Sequence, residues 1–183
     1  MAKEKEGRWQ HLTHDAFGPL YDESSRILIL GSFPSVKSRE EAFYYGHPRN
    51  RFWPLMARIL TPEDPRVPLT KEDRTKVMED NHIALWDVVE RCDIIGSSDA
   101  TIKNVVVTDL RRILDRAPVR KIFINGKTAF RLYRKYSLPL VGDRAEAVCL
   151  PSTSPANAAW SMDRLMEEWK AVGEELEKEK RAE

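Results

Sequence analysis

The sequence predicts an α/β fold in three layers, α/β/α, around a central four-stranded parallel sheet. Three observations lead there. Four apolar runs have the length of buried strands and are far too short to cross a bilayer. Helical patterns separate the runs, so β-α-β units with parallel pairing are the natural connection. Short polar loops follow the runs, and two of them, GSFPS (31–35) and PSTSPAN (151–157), carry proline. In such sheets ligands bind beyond the carboxyl ends of the strands.

The strands are read at RILILG (26–31), IALWDVV (83–89), KIFING (121–126) and EAVCLP (146–151). Between the first two, NRFWPLMARIL (50–60) enters a helix with Asn50 as a plausible cap, and Pro54 is tolerable only in its first turn. TKEDRTKVMED (70–80) begins on Thr70 and Asp73, close to a capping box. TDLRRILDRA (108–117) puts Leu110, Ile113 and Leu114 on one face. GKTAFRLYRKY (126–136) does the same with Phe130, Tyr133 and Tyr136. The last helix starts at Ser161 and is expected to fray past Gly173. Residues 1–183 are expected to form a single domain. Residues 1–23 are a mobile N-terminal extension in this reading, and 174–183 a charged C-terminal tail.

With 42% hydrophobic and 32% charged residues, the composition is that of a soluble globular protein. The start, MAKEKEGRWQ, has no apolar stretch of the secretory kind, so a cytoplasmic location is expected. Two cysteines, Cys92 and Cys149, are too few for a disulfide framework, a four-cysteine zinc site or an iron–sulfur cluster. The net charge of +1 hides an asymmetry. Residues 167–183 carry seven Glu against three Lys and one Arg. Residues 102–135 carry ten basic side chains against Asp109 and Asp115. The basic stretch suits a polyanion, and two solvated helix faces would account for it equally well.

Several motifs fail on inspection. NGKT (125–128) lacks the upstream glycine of a phosphate loop, since Lys121 stands there. LGSFP lacks the second glycine of a nucleophile elbow. No His, Cys or carboxylate cluster has metal-ligand spacing; His11 and His14 fall in the N-terminal segment, and His47 and His82 stand alone. What remains is GSFPS, YYGHPRNRFWP (44–54) and STSPAN (152–157).

These stretches resemble the uracil-DNA glycosylase superfamily over roughly residues 24–170. Gly31-Ser32-Phe33-Pro34 is similar to its Gly-x-(Asp/Asn)-Pro loop. Tyr45 and His47 to Trp53 resemble the aromatic residue and His-Pro-x-Asn-(Arg/His)-Phe-Trp block of the mismatch-specific and thymine-DNA branch. Gly126 to Phe130 and Pro151 to Pro155 match two later blocks. One departure stands out: Phe33 occupies the position of the residue that orients water, and a phenyl ring cannot. That departure resembles the hypoxanthine-DNA glycosylases, in which an asparagine of the His-Pro-x-Asn block takes the role.

The resemblance implies a uracil-DNA glycosylase-like fold and a monofunctional DNA repair glycosylase acting by base flipping. Its substrate would be hypoxanthine, with uracil or mismatched thymine as the rival within the fold. A non-catalytic nucleic-acid-binding module is the rival outside enzymes. The residue carried over as catalytic is Asn50. Those for base binding are Gly31, Ser32, Phe33, Tyr45 and Asn125, with Tyr45 stacking on the base. Those for DNA are His47, Ser152, Thr153 and Ser154, the three loop residues gripping phosphates. The partner is double-stranded DNA containing a deaminated base, with no cofactor, no metal and no membrane, and the protein is expected to be a monomer. The chemistry is consistent: breaking an N-glycosidic bond puts negative charge on the base, and amide donors stabilise it. An asparagine cannot be a general base, because its amide does not titrate, yet it can orient water. Plainer roles remain open at this point: Asn50 as a helix cap, Asn125 as a strand-end turn residue, Tyr45 as a core aromatic. Asp87 either faces a helix or makes a second contact with the base, and the former is expected.

Overall fold

A computed structural model describes residues 8–95 and 101–182. Its centre is a four-stranded parallel sheet. The chain contributes β1 (Trp9–Thr13), β2 (Ile27–Gly31), β3 (Ile83–Asp87), β4 (Val89–Ile95), β5 (Lys103–Val107), β6 (Lys121–Asn125) and β7 (Glu146–Leu150). The central order is β3-β2-β6-β7, and Ile27 to Leu30 are wholly buried in it. These four strands are the four apolar runs, so the predicted sheet is present. Each run is apolar at consecutive positions because helices cover both faces.

The helices are α1 (Val36–Glu41), α2 (Phe52–Leu60), α3 (Lys71–Asp80), α4 (Arg111–Leu114), α5 (Lys127–Leu132), α6 (Leu138–Val141) and α7 (Met162–Ala182). At α3 the Thr70 hydroxyl accepts the Asp73 N–H, as the capping reading requires. Phe52, Trp53, Leu55 and Met56 bury one side of α2, and Pro54 sits harmlessly in its first turn.

Four expectations need correction. The N-terminal segment is not a mobile extension from residue 8 onward. β1 pairs antiparallel with β4, and β4 with β5, forming a second, three-stranded sheet. Leu20 also bridges to Leu85. Residues 1–7 lie outside the described residues. Next, the run 83–89 is not one strand. It breaks at Val88, whose N–H donates to the Gly31 carbonyl while Val89 donates to Ser32, and the chain passes from the central sheet into the second one.

Third, of the two helices read in the basic stretch, one is shorter than expected and the other changes its winding midway. The helix of 108–117 contracts to α4. The helix of 126–136 is present: it is α-helical to Leu132, widens into a π turn at Tyr133–Ser137 and runs on into α6. Pro139, in the first turn of α6, offers no N–H to the turn before it, which is where the widening occurs. Fourth, α7 does not fray at Gly173. That glycine lies against α2, where an added Cβ would sit 3.1 Å from Ile59 Cγ2. Leu165, Trp169, Val172 and Leu176 form its buried stripe and hold the helix down past the glycine.

Candidate active site

The carboxyl ends of β2, β3, β6 and β7 open onto a cavity of about 720 Å³. Gly31, Ser32, Phe33, Tyr45, Asn50, Asn125, Ser152, Thr153 and Ser154 all line it. Nine of the ten candidate residues therefore converge, from four separate parts of the chain. The tenth, His47, is not on the wall. Its Nδ1 accepts the Arg49 N–H at 3.1 Å, which leaves Nε2–H directed away from that turn.

A hydrogen-bonded chain ties the two asparagines together through Thr153. The Thr153 hydroxyl donates to Asn50 Oδ1 at 2.8 Å and accepts from Asn125 Nδ2 at 2.9 Å. The Thr153 N–H donates to Asn125 Oδ1 at 3.0 Å. Thr153 is 0% exposed. It therefore cannot grip a phosphate, and that expectation is corrected: its hydroxyl is spent inside the protein, holding two amides. Ser152 and Ser154 remain half-buried on the rim. Their hydroxyls accept the N–H groups of Ser154 and Ala156 in tight turns.

Asn50 is both a cap and a cavity group. Its Oδ1 also accepts the Phe52 N–H at 2.9 Å at the start of α2. With Oδ1 bonded twice, the amide is held in one orientation. Among the described residues its Nδ2 has no hydrogen-bond partner, so the cavity meets a donor.

Arg51, beside it, was not singled out in the sequence. Its Nε donates to the Thr153 carbonyl at 3.3 Å, its Nη2 to those of Ser154 and Asn157, and its Nη1 to that of Trp160. One guanidinium thus fastens the loop 153–160 to the mouth of α2, a task suited to its five fixed donors. The signal was present in the block itself, where arginine directly follows Asn50.

Tyr45 has a left-handed backbone, φ 54°, uncommon for a tyrosine. One face of its ring stacks on Phe52, with centroids 3.8 Å apart. That face is closed to a base, which limits the stacking role expected of it. Its hydroxyl is buried and has no hydrogen-bond partner among the described residues. Burial first, and the charge of Asp87 second, push its pKa well above the ordinary phenol range, with nearby Asn125 only opposing, so the hydroxyl keeps its proton.

Asp87 lines the cavity, against the expectation that it would face a helix. Its Oδ2 accepts from His14 Nε2 at 2.8 Å, with the two side chains 6% and 1% exposed. His14 comes from the segment just after β1, within an aromatic wall of Phe17, Phe33 and Tyr44. No local pattern marks His14, because its partner lies 73 positions away. Cys149 lines the cavity too, but burial raises its thiol pKa, with Lys127 only opposing, which disfavours the nucleophilic thiolate.

A cavity at the strand ends of a parallel sheet, walled by amides, hydroxyls and aromatic rings, defines an α/β protein with a site for a small ligand that has polar edges and apolar faces. Comparison with known proteins makes this specific. The chain belongs to the uracil DNA glycosylase superfamily, whose sequence model matches residues 19–174. It is accordingly a DNA glycosylase, an enzyme that hydrolyses the bond between a base and its sugar in DNA. It is 35% identical over 157 residues to a hypoxanthine DNA glycosylase of Methanosarcina acetivorans, covering 85% of this chain and 95% of the relative. It is 37% identical over 112 residues to a hypoxanthine DNA glycosylase of Methanosarcina barkeri, covering 61% and 70% respectively. A solution NMR structure of a candidate uracil DNA glycosylase from Methanosarcina acetivorans superposes with a TM-score of 0.74 at 36% identity, over 88% of this chain and 96% of that one.

Proposed function

We propose that this glycosylase releases hypoxanthine from double-stranded DNA, acting as a metal-free cytoplasmic monomer. The observation that carries the reading is the Asn50–Thr153–Asn125 network, set beside a loop that presents Phe33 where a polar residue is needed. The two relatives named for hypoxanthine support it.

The target base is inside a duplex and must leave the stack to reach the cavity. Phe33 offers it an aromatic wall, and stacking of this kind contributes about 1–3 kcal/mol per base. As the glycosidic bond lengthens, positive charge grows on the sugar and negative charge on the base. Asn50, held by Thr153 and the Phe52 N–H, directs Nδ2–H at the reacting region. There it holds the attacking water by its oxygen or donates to the departing base. Neither task requires a proton to be abstracted by Asn50, so a weakly nucleophilic water suffices when bond breaking leads. Asn125 retains one N–H and one lone pair beyond its bonds to Thr153, enough for one contact with the base edge. Ser152 and Ser154 on the rim meet the DNA backbone.

The test is base release from duplexes carrying one inosine, uracil or xanthine, read as alkali-labile breaks on a gel. Inosine release by the wild type and not by Asn50→Ala, with DNA binding kept, is the expected result. Robust uracil release without inosine release would move the enzyme to another branch of the superfamily. Binding without any alkali-labile site would make it a non-catalytic module.

A further inference from the structure

Two residues that line the cavity carry polar atoms that the mechanism above does not use. One is Asp87 Oδ1. Its sister oxygen is committed to His14, whereas Oδ1 has no hydrogen-bond partner among the described residues. The other is the Tyr45 hydroxyl, buried, protonated, close to Asn125 and making no geometrically complete hydrogen bond to any described residue. Both converge on Gly31: a Cβ added there would lie 2.4 Å from Asp87 Oδ1 and 3.5 Å from Tyr45 Oη. Gly31 is therefore a glycine because a carboxylate occupies the space a side chain would need. Gly31 and Asp87 are directly paired across β2 and β3, so the carboxylate is carried on the rigid sheet rather than on a loop.

An acceptor beside a donor, both next to Gly31 and both on residues lining a pocket for a flat ring, is a recognition pair. We propose that Asp87 and Tyr45 read the edge that deamination creates: Asp87 accepts the ring N–H, and Tyr45 donates to the adjacent carbonyl. This rests on the proposed function and supplies its specificity. Deamination of adenine turns a ring nitrogen acceptor into an N–H donor and an exocyclic amine into a carbonyl. Adenine would aim a lone pair at the carboxylate and leave both protein groups without proper partners, a penalty that rejects an analogue by up to about 10⁴–10⁵-fold in sites of this kind. The pair recognises N–H/C=O edges as a class, so uracil satisfies it too. His14 is the positioning residue, since it holds Oδ2 and thereby aims Oδ1.

The experiment compares single-turnover release of hypoxanthine from inosine duplexes with release of 1-methylhypoxanthine from 1-methylinosine duplexes, which lack the ring N–H. Uracil and 3-methyluracil duplexes form a second pair. For its preferred base the wild type should discriminate against the methylated form by on the order of 10²–10³-fold or more. In Asp87→Ala that ratio should fall to within about tenfold. Asp87→Asn guards against a folding failure: its oxygen can still accept from His14, which turns the amide N–H toward the base and removes the same discrimination. Tyr45→Phe should slow release of the unmodified base by on the order of 10²-fold. Variants that fold and slow both bases equally, leaving the ratio unchanged, would show a merely structural role and overturn the inference. So would wild-type release of both forms at similar rates. A wild type that releases neither hypoxanthine nor uracil would instead sink the proposed function, and this inference with it.

Discussion

Replacing Thr153 with valine removes one hydroxyl and little else in shape. The structure predicts a disproportionate effect. The hydroxyl donates to Asn50 Oδ1 and accepts from Asn125 Nδ2, and the residue is 0% exposed. Two hydrogen bonds vanish, each with a net contribution of about 0.5–1.5 kcal/mol. Cavity water can rehydrate the two asparagines, so the cost in stability should be about 1–3 kcal/mol in all. For a chain of this size that is about 2–4 °C of melting temperature per kcal/mol. The loss in rate should be larger than stability alone would suggest. Asn50 keeps its bond to Phe52 but can now pivot, and a misplacement of about 1 Å can cost on the order of 10²-fold. The assay is single-turnover base release from an inosine duplex, alongside a thermal melt. Thr153→Ser keeps the hydroxyl and should retain most of the rate. A valine variant within threefold of wild type, or a serine variant as slow as valine, would refute the positioning argument.

Three further outcomes follow from the same geometry. Asn50→Asp keeps both acceptor contacts but loses the Nδ2 donor, so its melting temperature should hold while base release falls by on the order of 10²-fold; a rate kept or raised would mean that Asn50 does not act as a donor. Arg51→Lys replaces a fork that spans four carbonyls with a single ammonium, and should lower both melting temperature and turnover through the loop 153–160, visible as faster amide exchange there. Gly31→Ala would drive a Cβ to 2.4 Å from Asp87 Oδ1, so calorimetry should register about 1–3 kcal/mol of destabilisation from overpacking, with loss of base release beyond what Asp87→Asn shows if the sheet itself shifts.

Much of the site was legible in the chain because the groups that carry it stand at strand ends, and strand ends can be read from apolar runs. Gly31 and Asn125 stand at the ends of two such runs and Ser152 follows a third, and Asn50 lies in a block too specific to be a helix entrance alone. The errors share one cause. Thr153 looks like a surface hydroxyl in a Ser/Thr/Pro loop, and nothing local says that two asparagines from distant segments will enclose it. Arg51 looks like an exposed cation until the loop 153–160 folds over it. His14 looks like part of a charged, mobile terminus, because the pairing of β1 with β4 spans about eighty residues. Gly173 looks like a helix breaker until Ile59 of α2 fills the groove beside it.

The identity of the central strands, the apolar faces of the two helices in the basic stretch and the presence of Asn50 and Asn125 at the ligand-binding end were all decided by local pattern, because hydrophobic periodicity and strand-end loops are properties of neighbouring residues. Roles were decided elsewhere. Whether an amide faces a cavity as donor or acceptor depends on which of its atoms is already bonded, and here Thr153, 103 positions from Asn50, makes that choice. Whether Asp87 is a helix-facing residue or a base reader depends on His14 and on the missing side chain of Gly31. Hydrogen bonds and close contacts between segments far apart in the chain leave no periodic trace, so they become visible only when the chain is folded.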